Sequence, residues 1–442
     1  MPATYPTASA AHSTLALLCV AYILAMLDRQ ILSLLVGPIR AAFGISDFQF
    51  SLLQGAAFAL FYTVAGLPLG WLADRYCRKR IIAASIFVWS SMTMAFGLSK
   101  NFTQLFVTRA GVGAGEAGLT PAAYSLISDS YPPNKLPFAL AIYKASIPIG
   151  GGLSLILGGV LYEYYAAHPD FSWPVFGHLE PWQSTMISIG LPGLMVSLMV
   201  LTIQDPGRKG MMSGSSGTQS GTRISDVILF LWERRRCYGP IFLGSSFLGI
   251  ASYGSAAWYP ELMVRHYGVS KSEIGTAFGL IVCVFSSLGI VLGPRFSSIL
   301  ANRGYTDSHI RCVLIVTCLS VVPATAAPLL GSYYLTLFVL IPTTFIGTMY
   351  LGLVAATIQL CTPNEMRGQT TALYIFFSNI IGLAIGSSVL AAFTDFVFDN
   401  DQAIDLSIAS LHIIFLPTAA LLFWYGLPGV RNSLRESQKW NT

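Results

Sequence analysis

Twelve apolar runs of about twenty residues follow one another along this chain, and they restrict its fold more than any other feature. They cover roughly 13–35, 51–73, 81–98, 102–126, 138–161, 183–203, 238–260, 273–294, 311–330, 333–357, 369–393 and 406–427. About 20 residues rising 1.5 Å each cross the ~30 Å hydrocarbon core of a bilayer. Backbone groups in lipid must bond within their own segment, so each run is expected to be a helix. The runs are continuous rather than alternating, which excludes a transmembrane β-barrel. Charged residues make up 10% of the chain and apolar residues 54%. A soluble domain carries about 25% charged residues, so soluble, disordered, collagen-like and disulfide-scaffold classes fail together. The expected class is an all-α polytopic membrane protein.

The stretch 204–237 is the one long polar interruption. It has a flexible-linker composition at Gly210–Gly217 and then the basic triplet Arg234-Arg235-Arg236. It divides the chain into six spans and six spans, with expected domains 1–203 and 238–442 around a cytoplasmic linker 204–237. Basic residues set the orientation. With both termini inside, 18 of the 25 Lys and Arg fall in cytoplasmic segments. Only Arg40, Lys100, Arg265 and Lys271 fall outside, and Arg29, Arg109 and Lys144 fall within spans. No cleavable signal peptide is expected, because the first apolar run lacks a basic flank and is too long. None of the seven cysteines lies in an outer loop or in C-x-x-C spacing, so neither a disulfide nor a metal site is expected.

The halves repeat weakly. Gly70-Trp71-Leu72-Ala73-Asp74-Arg75 after span two answers Ser298-Ile299-Leu300-Ala301-Asn302-Arg303 after span eight. Pro133-Asn134 and Ala141-Ile142-Tyr143 answer Pro363-Asn364 and Ala372-Leu373-Tyr374. Parallel six-helix repeats place a cavity near the midplane and serve alternating access. Five pairs have the small-residue spacing of close helix packing: Gly66/Gly70, Gly111/Gly115, Gly275/Gly279, Gly289/Gly293 and Gly382/Gly386. Gly150-Gly151-Gly152 after Pro148 permits bending or very close helix contact.

Ionisable groups at bilayer depth cost about 2.5–3.5 kcal/mol on insertion scales and mark function by default. Asp28 and Arg29 fall in span one, Arg109 and Glu116 in span four, and Lys144 in span five. Depth arithmetic at 1.5 Å per residue sets Asp28, Arg29 and Arg109 in an upper layer and Glu116 and Lys144 in a lower one. Asp28–Arg109 and Glu116–Lys144 are then the expected pairs. Each pair is either a fixed structural neutralisation or a carboxylate that titrates and changes partner as a cavity opens. Lys144 is read as binding an anionic substrate group, as the structural partner of Glu116, or as reaching to the cytoplasmic interface. The second half has no charged residue deep in its spans. It offers aromatic and polar groups instead, among them Tyr253, Trp258, Tyr374 and Asn379.

The loop Gly70-Trp71-Leu72-Ala73-Asp74-Arg75-Tyr76-Cys77-Arg78-Lys79-Arg80 resembles the signature between spans two and three of the major facilitator superfamily, with Cys77 in place of a glycine. The resemblance implies twelve helices in two pseudo-symmetric six-helix bundles. It also implies a conformational latch at Gly70, Asp74, Arg75 and Arg78. Leu27-Asp28-Arg29-Gln30, Arg109–Gly118, Ser125–Asp129, Ala139–Tyr143, Ile147–Gly150 and Trp258-Tyr259-Pro260 are similar to the spinster-type branch. That branch implies a carrier of anionic lysolipid- or sphingoid-type amphiphiles, or of a smaller and in some cases aromatic organic anion, with proton coupling.

No P-loop, His-Glu-x-x-His or Ser–His–Asp arrangement occurs, so neither an ATP-driven pump of that kind nor an enzyme is expected, and no cofactor. The reading is a monomeric secondary transporter in a bacterial inner membrane, proton-coupled as symporter or antiporter. Its expected partners are a small-molecule or lipid substrate, protons and membrane lipids, without nucleic acid. A non-transporting sensor of the same fold is the alternative from another class. Asp28, Arg29, Arg109 and Glu116 are the expected coupling residues. Arg29, Arg109, Lys144, Tyr253, Trp258, Tyr374 and Asn379 are the expected substrate contacts.

Overall fold

The computed structural model describes residues 5–132, 135–207 and 224–438. The Gly/Ser linker, Pro133, Asn134 and the side chain of Asp74 lie outside the described residues. Among those described, the chain is helical apart from connections and one two-stranded ribbon. In chain order the helices begin with α1 (Ala8–Gln30), α2 (Val36–Phe43), α3 (Asp47–Ser51), α4 (Ala57–Arg75) and α5 (Arg78–Gly97). Next come α6 (Phe102–Glu116), α7 (Leu119–Ser130), α8 (Leu136–Ala167) and α9 (Pro181–Val200). The ribbon pairs β1 (Ser172–Trp173) antiparallel with β2 (Gly177–His178). Then follow α10 (Ile224–Glu233), α11 (Arg235–Tyr267), α12 (Lys271–Ile281), α13 (Ser287–Asn302) and α14 (Ser308–Ala326). The series ends with α15 (Tyr333–Thr348), α16 (Leu351–Cys361), α17 (Arg367–Phe377), α18 (Gly386–Ala392) and α19 (Ile404–Gln438).

Ten helical stretches are long and apolar enough to cross a membrane among the described residues. The two other expected spans are also helical. Span four is divided into α6 and α7 around Ala117 and Gly118, and span seven lies within the 33-residue α11. The chain forms two compact units. The first comprises residues 1–211 and 259–283, and the second 212–258 and 284–442.

In the first unit the core is built on Leu18, Ile31, Phe50, Phe58, Trp89 and Phe96, all buried. Glycines let its helices approach backbone to backbone. Gly113 of α6 lies against the Phe58 carbonyl, and Gly115 against the Trp89 backbone of α5. The triple glycine uses alternate faces. A Cβ on Gly150 would meet Met26 Cβ at 2.7 Å, whereas Gly152 lies against Gly279 of α12. Four of the five expected glycine pairs pack in this way. Gly66 and Gly70 face open space.

Asp47, at the first turn of α3 and wholly buried, receives Arg40 at 3.0 Å and Arg265 at 2.7 Å, and Arg265 also binds Glu261 at 2.8 Å. The sequence reading treated Arg40 and Arg265 only as loop charges. They are structural anchors, and Arg265 reaches Asp47 from 218 residues further along the chain.

The signature loop folds tightly. α4 ends at Arg75, Tyr76 and Cys77 are extended, and α5 starts at Arg78. Cys77 has φ −66°, so a side chain is accommodated where the signature has glycine. Arg78 is buried between the carboxylates of Asp129 and Asp205 and also donates to the Ser125 and Gly207 carbonyls. Arg75 lies over the Trp71 ring at 4.1 Å.

In the second unit Tyr238, Val313, Leu353, Ile358 and Phe423 belong to one core cluster. α11 crosses the helix that follows α17 at Gly249, where a Cβ would meet Gly382 Cα at 2.9 Å. Asp307 is gripped by Arg311 at 3.0 Å and by Arg431 at 2.7 Å. Burial works against the Asp307 carboxylate, but the two arginines outweigh it and hold its pKa below the usual value.

Candidate functional site

The site begins where α1 ends. The last α-type bond runs from the Ile31 N–H to the Leu27 carbonyl, and a 3₁₀ turn, Ile31–Leu34, follows. The carbonyls of Asp28 and Arg29 therefore lie where a helix leaves its last acceptors without internal donors. Arg109 of α6 fills that role, donating to the Asp28 carbonyl at 3.0 Å and to the Arg29 carbonyl at 3.4 Å. Its close approach depends on Gly113, one turn further along α6, lying flat against α4.

The Arg29 side chain reaches the other carboxylate of the layer. Its Nε donates to Glu116 Oε2 at 2.6 Å. The Glu116 side chain is wholly buried, whereas that of Arg29 retains 23% exposure. Above the guanidinium lie the rings of Phe58 at 4.6 Å and Tyr62 at 4.8 Å, and Arg109 lies 5.0 Å from the same Phe58 ring. A desolvated contact of this kind contributes up to about 2 kcal/mol. Asp28 has Thr93, Glu116, Arg109 and Arg29 as neighbours. The Thr93 hydroxyl lies beside the Asp28 carboxyl, while Arg109 Nε and Glu116 Oε1 are buried and have no hydrogen-bond partner among the described residues. Two carboxylates and two guanidinium groups are thus held together with bonding capacity to spare.

The pairing differs from the one expected. Arg109 binds the backbone of Asp28 rather than its carboxylate, and Glu116 pairs with Arg29 rather than with Lys144. Depth arithmetic ranks Cα positions, but an arginine side chain extends well beyond one helical turn, so Arg29 meets a carboxylate from the layer below. Lys144 is exposed on α8 and makes no ion pair among the described residues.

An aromatic wall continues from Arg29. Phe58 and Tyr62 stack at 5.5 Å, Tyr22 and Tyr143 at 4.9 Å, and Tyr124 meets Tyr143 edge-on at 5.6 Å. The sequence reading placed aromatic contacts in the second half and missed this wall. The available signals were spacings: Tyr22 is seven residues before Arg29, and Tyr62 four after Phe58, so each pair shares a helix face.

In the second unit Tyr253 and Tyr374 are both neighbours of Tyr350. Tyr374 lies 5.8 Å from Phe242. Trp258 is fully buried in α11, and Asn379 is partly buried in the π-helical segment Ser378–Ile385.

The family model of the Major Facilitator Superfamily matches residues 18–387. The chain belongs to that superfamily. Its relatives include an MFS-type efflux pump of Mycolicibacterium smegmatis, 24% identical over 93% of this chain and 91% of the relative. A sphingosine-1-phosphate transporter of Danio rerio is 27% identical over 61% of this chain, which spans about half (53%) of that protein. Among solved structures, a bacterial homologue of the human lysosomal transporter spinster, described as inward-facing and unoccupied, superposes with a TM-score of 0.81. That match covers 97% of this chain and 99% of the other at 22% identity. The chain is therefore a multi-pass membrane protein with the major facilitator fold, as its sequence predicts.

Proposed function

We propose that this protein is a proton-coupled secondary transporter that moves an anionic amphiphile of lysolipid or sphingoid type by alternating access. Its proposed setting is a bacterial inner membrane, with both termini cytoplasmic. The observation that carries the reading is the unequal exposure of the Arg29–Glu116 pair. Arg29 keeps an open edge beneath Phe58 and Tyr62, while its partner is sealed from solvent. An anionic headgroup can approach Arg29 from that edge and compete with Glu116. A carboxylate deprived of its cation in a dry site holds a proton more firmly. Binding of substrate anion and uptake of a proton would then be linked, with Asp28 as the second carboxylate of the layer. Arg109, whose Nε has no partner among the described residues, supplies a second cation. Tyr22, Tyr62 and Tyr124, backed by the buried Tyr143, offer an amphipathic wall to the part of the substrate next to its headgroup. The kinship with a sphingosine-1-phosphate transporter supports the substrate class.

The test uses sealed proteoliposomes with an imposed pH gradient and a labelled lysophospholipid. Glu116→Gln and Asp28→Asn keep volume and hydrogen bonding but cannot release a proton. Each is expected to lose the response to the pH gradient while the protein still incorporates into vesicles. Wild-type flux and pH dependence in both variants would overturn the coupling assignment.

A further inference from the structure

α10 carries more apolar surface than its packing uses. Val227 is fully buried, and Phe230 and Leu231 pack against the core of the second unit. The other side of the helix presents Ile224, Ile228, Leu229 and Trp232, the last 68% exposed. A helix with one face in water normally carries charged and polar residues on that face; only Ser225, Asp226 and Glu233 are available here.

Basic residues follow at once. Arg234 is committed internally, bonded to Glu436 at 2.9 Å and lying 4.2 Å from the Phe230 ring. Arg235 and Arg236 are exposed and form no ion pair among the described residues. Arg235 lies 5.8 Å from the Trp232 ring. This group is fixed in position rather than trailing from a linker. The Arg236 carbonyl is pressed against Gly429 of α19, and a Cβ on Gly426 would meet Pro240 at 2.8 Å. Just before those glycines α19 exposes Leu421, Trp424 and Tyr425. Exposed Trp and Tyr beside Arg at the end of a membrane span mark the headgroup level. The start of α11, directly after α10, thus packs on α19 close to its exposed Leu421, Trp424 and Tyr425.

We propose that α10, with Arg235 and Arg236, is an interfacial anchor that binds anionic phospholipid headgroups. Its apolar face lies at the boundary of headgroups and acyl chains, as in surface-bound amphipathic helices. Arg235 makes one long bond, 3.4 Å, to the Trp232 carbonyl, and both exposed guanidinium groups are planar forks that match phosphate oxygens in pairs. Each arginine near an anionic surface favours binding by about fivefold.

The experiment uses the full-length protein in nanodiscs of phosphatidylcholine containing either brominated phosphatidylglycerol or brominated phosphatidylcholine at equal mole fraction. Wild-type fluorescence minus that of Trp232→Phe isolates the signal of Trp232. Because Trp232 is exposed, this variant is expected to fold normally. The expected result is bromine quenching of Trp232, at least fivefold more effective from phosphatidylglycerol. Arg235→Gln/Arg236→Gln should abolish the preference and Arg235→Lys/Arg236→Lys should retain part of it. Millimolar inorganic phosphate should leave it unchanged. The proposal is overturned if Trp232 is quenched by aqueous iodide but by neither lipid, which is the outcome for a face covered by water or by a protein. Equal quenching by both lipids, or loss of the preference on adding phosphate, overturns it as well.

Discussion

Replacing Arg29 with methionine should destabilise the protein through the carboxylate left behind. Methionine keeps the length of the side chain and much of its contact with Phe58 and Tyr62. It removes the one cation that, among the described residues, bonds Glu116 directly, at 2.6 Å. Breaking a buried ion pair from one side costs about 3–5 kcal/mol, because the surviving charge stays desolvated. The partial exposure of Arg29 screens its half of the pair, so about 3 kcal/mol is expected. At roughly 2 °C per kcal/mol for a chain of this size, the melting temperature in detergent should fall about 6 °C. Adding Glu116→Gln to the same chain removes the stranded charge and should restore at least half of the loss. Lowering the pH should also shrink the deficit of Arg29→Met, since a stranded carboxylate can escape its penalty by taking a proton. Lys144→Met is the control. If Glu116 depends on Arg29, this exposed lysine can be removed with a shift of about 1 °C or less, as for other surface changes. An unchanged melting point in Arg29→Met, or a loss in Lys144→Met as large as 6 °C, would refute the pairing.

Two further outcomes follow from the second unit. The lowered pKa of Asp307 means that its contribution is complete above the ordinary carboxylate value of 3.8 and is lost as pH falls through its lower folded-state value. Asp307→Asn should cost about 1–2 kcal/mol at neutral pH and should remove the part of the acid-induced melting shift that sets in below about pH 4; an unchanged acid profile would contradict this. His412 Nδ1 lies 2.8 Å from the Ala324 carbonyl, four residues before Pro328, which has no N–H to offer that acceptor. His412→Leu should therefore cost roughly 1–3 kcal/mol by leaving a buried carbonyl unsatisfied, measured as a melting shift with expression retained.

The helices were legible because lipid imposes a crude rule, about 20 apolar residues per crossing, and this chain follows it closely. The close glycine contacts were legible for a related reason, since a glycine every fourth residue in an apolar helix invites a neighbour. The charged layer was legible in membership but not in connection. Asp28, Arg29, Arg109 and Glu116 do converge, because each is too costly to leave facing lipid. Which cation meets which carboxylate depends on side-chain reach and on the 3₁₀ turn after Gln30, and neither is written in the spacing. The Asp47 network was illegible for another reason. Arg40 and Asp47 lie between the first two apolar runs and Arg265 lies after the seventh, where charges look like ordinary loop polarity until the fold brings them together. The tyrosine wall was obscured by abundance, since twenty tyrosines are spread along the chain and most serve packing.

Arg78 and Asp307 occupy matching places in the two repeats, close to the 228–231-residue offset, yet they have opposite charge. In the first unit a cation sits between Asp129 and Asp205; in the second an anion sits between Arg311 and Arg431. Chains with two similar halves face a hazard during synthesis, because a helix end from one half can dock where its counterpart belongs. The inverted signs work against that error. The end of α19, carrying Arg431, would bring like charge to Arg78, and the segment after α9, carrying Asp205, would bring like charge to Asp307. Like charges at both sites disfavour an exchange of closing segments between the halves of a duplicated architecture.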